Sequence, residues 1–186
     1  MKRVLFLIAS LCCLCSSANA QHLDQPIKYQ GEVNVGYGLA TRKAGEQVSY
    51  MLGSLTKNYI LIETVHGVRL SPHFFTGIGA KMCADVKFRA AQLPIFADFK
   101  YYPLNRAFAP YVAIDFGYSL RLYNDGIRWG YIPTFCGFHG AAGVGFNYKH
   151  LNFGLGCQIQ QMRYDNYENY NSELYPSLFL KVGAKF

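Results

Sequence analysis

Counting back from Phe186 by twos gives Phe186, Ala184, Val182, Leu180, Leu178, Pro176 and Leu174, an unbroken apolar set. Between them lie Lys185, Gly183, Lys181, Phe179, Ser177 and Tyr175. A period of two with unlike faces predicts a β-strand. The same alternation runs through Gly31–Ala40, Tyr59–Leu70, His73–Ala84, Ala91–Tyr102, Ala109–Arg121, Gly137–Tyr148 and Leu151–Arg163, with Leu174–Phe186 as the eighth stretch. Each is long enough to cross a bilayer at a tilt, for which about 9–11 residues suffice.

The connections between these stretches alternate in length. Thr41–Asn58, Leu122–Cys136 and Tyr164–Glu173 are long, and Asp85–Ala90 is intermediate. Ser71-Pro72, Pro103–Phe108 and Lys149-His150 are short. An even number of antiparallel strands, with short turns at one end and longer loops at the other, is the pattern of an outer-membrane barrel with its short turns in the periplasm. The expected fold is therefore all-β, an eight-stranded antiparallel transmembrane β-barrel.

The two faces decide which way the barrel is turned. In the fifth stretch Pro110, Val112, Ile114, Phe116, Tyr118 and Leu120 alternate with Tyr111, Ala113, Asp115, Gly117, Ser119 and Arg121. In the seventh, Leu151, Phe153, Leu155, Cys157 and Ile159 alternate with Asn152, Gly154, Gly156, Gln158 and Gln160. A soluble eight-stranded barrel points its apolar set inward and meets water with the other. A water-facing set should be rich in Lys and Glu, whereas this one is rich in Gly, Ala and Asn. Small residues suit the crowded interior of a narrow barrel. The apolar set is thus expected to face lipid.

Composition agrees. Charged residues are 16% of the chain, against about 25% in ordinary soluble domains. Aromatic residues are also 16%, with 15 Tyr and 14 Phe beside a single Trp. The first twenty residues, MKRVLFLIASLCCLCSSANA, read as a secretory signal with Lys2 and Arg3, an apolar stretch from Val4 to Leu14, and Ala18-Asn19-Ala20 as the cleavage site. The expected organisation is a cleaved signal at 1–20, a short N-terminal periplasmic segment at 21–30 and the barrel at 31–186. The net charge of +7 includes Lys2 and Arg3. No basic run remains elsewhere, so no nucleic-acid partner is expected. Cys83, Cys136 and Cys157 form neither a disulfide framework nor a CxxC site, and read as small apolar fillers. A bridge between two of them stays open.

The segments "ETVHGVRLSPHFFTGIGAKM", "LPIFADFKYYP" followed by "APYVAIDFGYS", and the terminal "VGAKF" resemble the small outer-membrane β-barrel family common in Bacteroidetes, of the OmpA/OmpX size. The resemblance implies residence in the bacterial outer membrane, contact with its lipid, and the barrel-assembly machinery as a partner during biogenesis. It also implies that Phe186 is part of the assembly signal and that Tyr175 is a girdle residue.

Chemistry-bearing residues fall mostly inside. The inward set holds Glu32, Glu63, Asp98 and Asp115 with Arg69, Lys81, Lys100, Arg121, Lys181 and Lys185. Charges in a narrow lumen must pair, because unpaired burial is costly. A largely filled lumen is the expectation, with a narrow channel for ions or small solutes as the alternative. The histidines His22, His66, His73, His139 and His150 join no serine motif and no metal-ligand spacing. Neither an enzyme, a metal nor a cofactor is expected. "LYNDGIRWGYIPTF" and "RYDNYENYNSELY" offer Trp129, Tyr131, Tyr164, Tyr167 and Tyr170 as extracellular recognition candidates, since Tyr and Asn combine contact area with adaptable hydrogen bonding. A plain interfacial girdle is the competing reading of those tyrosines. The function expected is envelope structure or surface recognition through the loops.

Overall fold

The computed structural model describes residues 27–41, 58–85, 90–104, 106–124, 137–166 and 169–186. They form β1 (Lys28–Ala40), β2 (Tyr59–Arg69), β3 (Phe74–Asp85), β4 (Ala90–Tyr101), β5 (Phe108–Asn124), β6 (Gly137–Tyr148), β7 (Leu151–Asn166) and β8 (Asn169–Lys185). Every strand pairs antiparallel with its chain neighbours, and β8 pairs with β1 to close the barrel. Among the described residues no helix is long and apolar enough to cross a membrane.

The strands lie where the alternation puts them, and β6 spans the expected residues. Four ends run on by three residues or more. β1 begins at Lys28 rather than Gly31, β5 continues to Asn124, β7 continues to Asn166, and β8 begins at Asn169 rather than Leu174. The last difference corrects the long connection expected over Tyr164–Glu173. That segment is mostly ladder, with β7 and β8 in register out to Asn166↔Asn169. Alternation reports a difference between two faces. It fades where both faces are polar, while the backbone ladder continues through Tyr and Asn regardless.

The faces are sorted opposite to those of a soluble domain. Ile78 is 70% exposed and Leu180 62%, whereas Glu63 and Lys81 are fully buried. In water this arrangement would leave a continuous apolar belt unfavourably hydrated. In a bilayer the closed ladder satisfies every strand's backbone and the belt meets hydrocarbon. At the short-turn end Tyr29, Phe74, Tyr101, Phe108, Tyr148 and Phe186 are exposed aromatics. Phe74 packs on Tyr101 at 5.1 Å and Phe146 on Phe153 at 4.9 Å between ring centroids. Tyr175 does not belong to such a girdle. It is buried on the inward row with Ser177 and Phe179, since parity along the strand outweighs the preference of tyrosine for an interface.

The seam is closed by Phe186. Its backbone N–H donates to Gly31 O at 2.9 Å, and Gly31 N–H donates to Phe186 O at 2.7 Å. The Phe186 ring meets His66 edge-on at 6.3 Å. His66 lies on the lipid side, yet both of its ring nitrogens are engaged, Nδ1 with Tyr29 OH at 2.6 Å and Nε2 with Thr64 Oγ1 at 2.9 Å. A satisfied imidazole is tolerable at that surface where a bare one is not.

Inside, rings lie over glycines. A Cβ added at Gly145 would fall 2.5 Å from the end of the Tyr111 ring, and one at Gly154 would fall 2.9 Å from the Tyr111 hydroxyl. Gly145→Leu is therefore expected to cost about 1–3 kcal/mol through overpacking. Val144→Leu, one residue away on the lipid face, should stay within about 0.5 kcal/mol. Urea titration of the refolded barrel, followed by the mobility difference between unboiled and boiled samples, reads both.

Candidate functional site: the charged lumen

Period-two alternation and the antiparallel register place one inward row from every strand around a shared interior. β1 contributes Gln30, Glu32 and Asn34, β2 Glu63, β3 Lys81, and β4 Asp98 and Lys100. β5 contributes Tyr111 and Asp115, β6 His139 and Asn147, β7 Asn152, and β8 Lys181. All are buried.

Two ionic groups result. Lys100 Nζ lies 2.5 Å from Glu32 Oε2 and 3.1 Å from Asp98 Oδ2. Lys181 Nζ lies 2.5 Å from Glu63 Oε1, and Lys81 Nζ is 3.1 Å from Glu63 Oε2 and 4.0 Å from Asp115 Oδ2. Amides join the groups. Asn152 Nδ2 donates to Glu32 Oε2 at 2.8 Å and to Asn34 Oδ1 at 3.2 Å. Asn34 Nδ2 in turn donates to Glu63 Oε1 at 3.0 Å. Tyr111 OH fixes Asn152 by donating to its Oδ1 at 2.7 Å. Gln30 Nε2 donates to Glu32 Oε1 at 2.9 Å and to Tyr102 OH at 3.4 Å, and Asn147 Nδ2 reaches the same hydroxyl at 3.3 Å. One network of hydrogen bonds and ion pairs thus draws on all eight strands, β3 entering through the Lys81–Glu63 ion pair.

Aromatic rings flank the ammonium groups. Lys81 Nζ is 5.1 Å from the centroids of both Phe96 and Phe179, and Lys100 Nζ is 5.2 Å from Phe75 and 5.4 Å from Tyr111. Cation–π attraction adds to ion pairing there. Desolvating each ion costs several kcal/mol, which only close pairing and complete hydrogen bonding offset.

The inward charges foreseen from the sequence separate into a core and a mouth. Glu32, Glu63, Lys81, Asp98, Lys100, Asp115 and Lys181 meet in the network. Arg69 and Lys185 are only partly buried at the short-turn end, because their inward positions fall at the strand termini. Arg69 stacks on Tyr102 at 4.5 Å instead of joining a carboxylate. Arg121 is in β5 opposite Gln92, and its side chain lies outside the described residues. The neutral partners Asn34, Tyr111 and Asn152 were not singled out from the sequence, although their inward parity was legible.

Other foreseen positions fall elsewhere. His139 is inward on the long-loop side, with Nδ1 3.0 Å from Gln160 Oε1. Cys83 is buried in the lumen and Cys157 exposed on the outer wall, both as free thiols. Cys136, Trp129, Tyr131 and Tyr167 lie outside the described residues. Tyr164 and Tyr170 sit in the β7–β8 ladder opposite Asn171 and Asp165, and their side chains are outside the described set. Among the described residues no group of three or more His, Cys, Asp or Glu could hold a metal.

An apolar wall around an ion-paired interior, closed by an antiparallel ladder, defines an eight-stranded transmembrane barrel of the bacterial outer-membrane type. Solved structures of that type are similar to it. Neisserial surface protein A aligns with a TM-score of 0.55 at 12% identity, over 87% of this chain and 98% of that one. The N-terminal β-barrel domain of Pseudomonas aeruginosa OprF aligns at 0.50 and 13% identity, over 87% and 100%. The likeness at these identities is one of fold. No protein-family model matches the chain, and no curated protein does.

Asn152 is the link between the two ionic groups, so Asn152→Leu should cost about 1–3 kcal/mol by leaving buried partners of the amide unsatisfied. Leu155→Val, outward on the same strand, should cost no more than about 1.5 kcal/mol. Urea midpoints of the two refolded variants measure the difference.

Proposed function

We propose that this chain is an integral outer-membrane protein with a lumen closed to ions and solutes, serving the envelope as a structural element and as a surface for recognition through its longer connections. The observation that carries this reading is the single network drawn from all eight strands across the lumen. A permeating ion would have to part ammonium–carboxylate pairs at 2.5–3.1 Å that are flanked by aromatic rings. One-signed rings or a wide lumen, which support conduction, are absent from the described interior.

A non-enzymatic role fits the same residues. Glu32 and Glu63 are occupied by lysine and amide donors, His66 by Tyr29 and Thr64, and His139 is held at Nδ1 by Gln160 while its Nε2 is buried without a hydrogen-bond partner. We assign recognition to the Tyr- and Asn-rich segments holding Trp129, Tyr131, Tyr164, Tyr167 and Tyr170, on their composition. We also place the chain with the Bacteroidetes-type barrels, on the segments that resemble them. Assembly through Phe186 fits its place at the seam, where it shares two backbone hydrogen bonds with Gly31.

Single-channel recording of the refolded protein in a planar bilayer tests the closed lumen. A barrel shown to be folded by its gel mobility should give no steady openings. Reproducible conductance from that preparation would contradict the reading in favour of a narrow channel.

A further inference from the structure

The short-turn end of the barrel carries Lys28, Arg69, Arg106, Lys149 and Lys185, with His73 and His150 beside them. The strand ends and turns there, residues 27–30, 69–74, 101–108, 147–151 and 185–186, contain no Asp or Glu side chain. Among the described residues none of these five cations forms an ion pair, whereas each lumen lysine sits within 3.1 Å of a carboxylate. Lys28 stands directly opposite Arg69 across β1 and β2. Like charges so placed destabilise a ladder, and the nearest anions are the chain-terminal carboxylate of Phe186 and Glu32, which stands opposite Lys185 but is held by Lys100.

The turns are also tied together. Lys149 N–H donates to Ala107 O at 3.3 Å, which sets the β6–β7 turn against the β4–β5 turn that carries Arg106. Lys185 N–H donates to His150 O at 2.7 Å, and His150 Nδ1 lies 3.2 Å from Lys185 O. Arg106, Lys149, His150 and Lys185 therefore follow one another around a connected rim. Lys28, Arg106 and Lys149 are exposed.

Depth supplies a second, separate observation. Tyr29, Phe74, Tyr101, Phe108, Tyr148 and Phe186 are exposed at this same end. Aromatic girdles sit at headgroup level. Lys149 Nζ is 5.7 Å from the Tyr148 ring centroid, so the cation and the girdle share a level. Phosphates of the surrounding leaflet lie at that depth.

We infer that this rim is a docking surface for anionic phospholipids of the periplasmic leaflet. The phosphate sits against Arg106 and Lys149, and the acyl chains run up the aromatic and aliphatic wall. Arg106 and Lys149 stand exposed in the turns, outside the lumen, whereas Lys28, Arg69 and Lys185 border its mouth, so the phosphate site holds whether or not the lumen conducts.

The test is to refold the full barrel into vesicles of phosphatidylethanolamine and phosphatidylglycerol at a fixed ratio. Lipids retained on the protein after mild detergent extraction are then counted by native mass spectrometry. Phosphatidylglycerol should be enriched above its bulk ratio and lose its preference as salt rises. Enrichment should fall about fivefold for each cation removed in Arg106→Gln and Lys149→Asn. Asn suits the left-handed backbone at Lys149, where φ is 54°. Arg106→Lys should keep the enrichment, and an unchanged gel shift confirms that each variant is folded. Retention at the bulk ratio, or enrichment that survives the double variant, would overturn the assignment. So would equal binding of a soluble acidic polymer by the detergent-solubilised barrel.

Discussion

Charges enclosed by a lipid-facing barrel are costly to leave unpaired, and the rest of this structure answers to that constraint. Once Glu32, Glu63, Asp98 and Asp115 point inward, lysines must meet them, Asp98 from Lys100 on its own strand and the others from different strands. Lys100 crosses from β4 to Glu32 on β1, and Lys181 crosses from β8 to Glu63 on β2. These are contacts across the interior rather than along a ladder. They tie strands that the backbone pairing leaves apart.

The glycines and aromatics follow from the same crowding. Long lysine stems and rings need room that eight strands scarcely provide. Room is made where the wall lacks side chains, as where Tyr111 lies over Gly145 and Gly154. The Tyr111 hydroxyl then reaches Asn152, so the packing of a ring and the connection of two ionic groups depend on one residue. The outer wall has the opposite need. It keeps polar groups satisfied locally, as His66 does between Tyr29 and Thr64, and leaves the remainder to hydrocarbon. Among the described residues, unpaired cations collect at the short-turn rim, where lipid phosphate and water begin.

Strand number, order and facing were legible in the sequence because a bilayer enforces a sharp contrast between faces. Leu151, Phe153 and Leu155 against Asn152, Gly154 and Gly156 leave no doubt about orientation. The contrast ends with the hydrocarbon, and so did its power to locate strands. The β7–β8 ladder out to Asn166 and Asn169 carries no such alternation and reads as a loop. Tyr175 was misplaced for a related reason, since residue type pointed to an interface while position in the alternation pointed inward. The inward charges were visible one by one, but not their partners. Pairing between β8 and β2 depends on how far Lys181 reaches across the barrel, which no spacing along the chain encodes. Arg69 and Lys185 looked equivalent to the other inward cations because parity gives direction without depth.

A double-mutant cycle on Glu63 and Lys181 tests the dehydrated, closed interior most directly. Glu63→Gln and Lys181→Met would be measured singly and together by urea unfolding of the refolded barrel in lipid. A dry, paired lumen predicts that each single variant loses about 3–5 kcal/mol and that the double loses less than their sum, because Glu63→Gln already leaves Lys81 without its nearest carboxylate and removing Lys181 as well strands no further charge. Single losses within about 1 kcal/mol, adding simply in the double, are the behaviour of hydrated surface pairs. That result would mean water fills the lumen, and it would contradict the closed barrel.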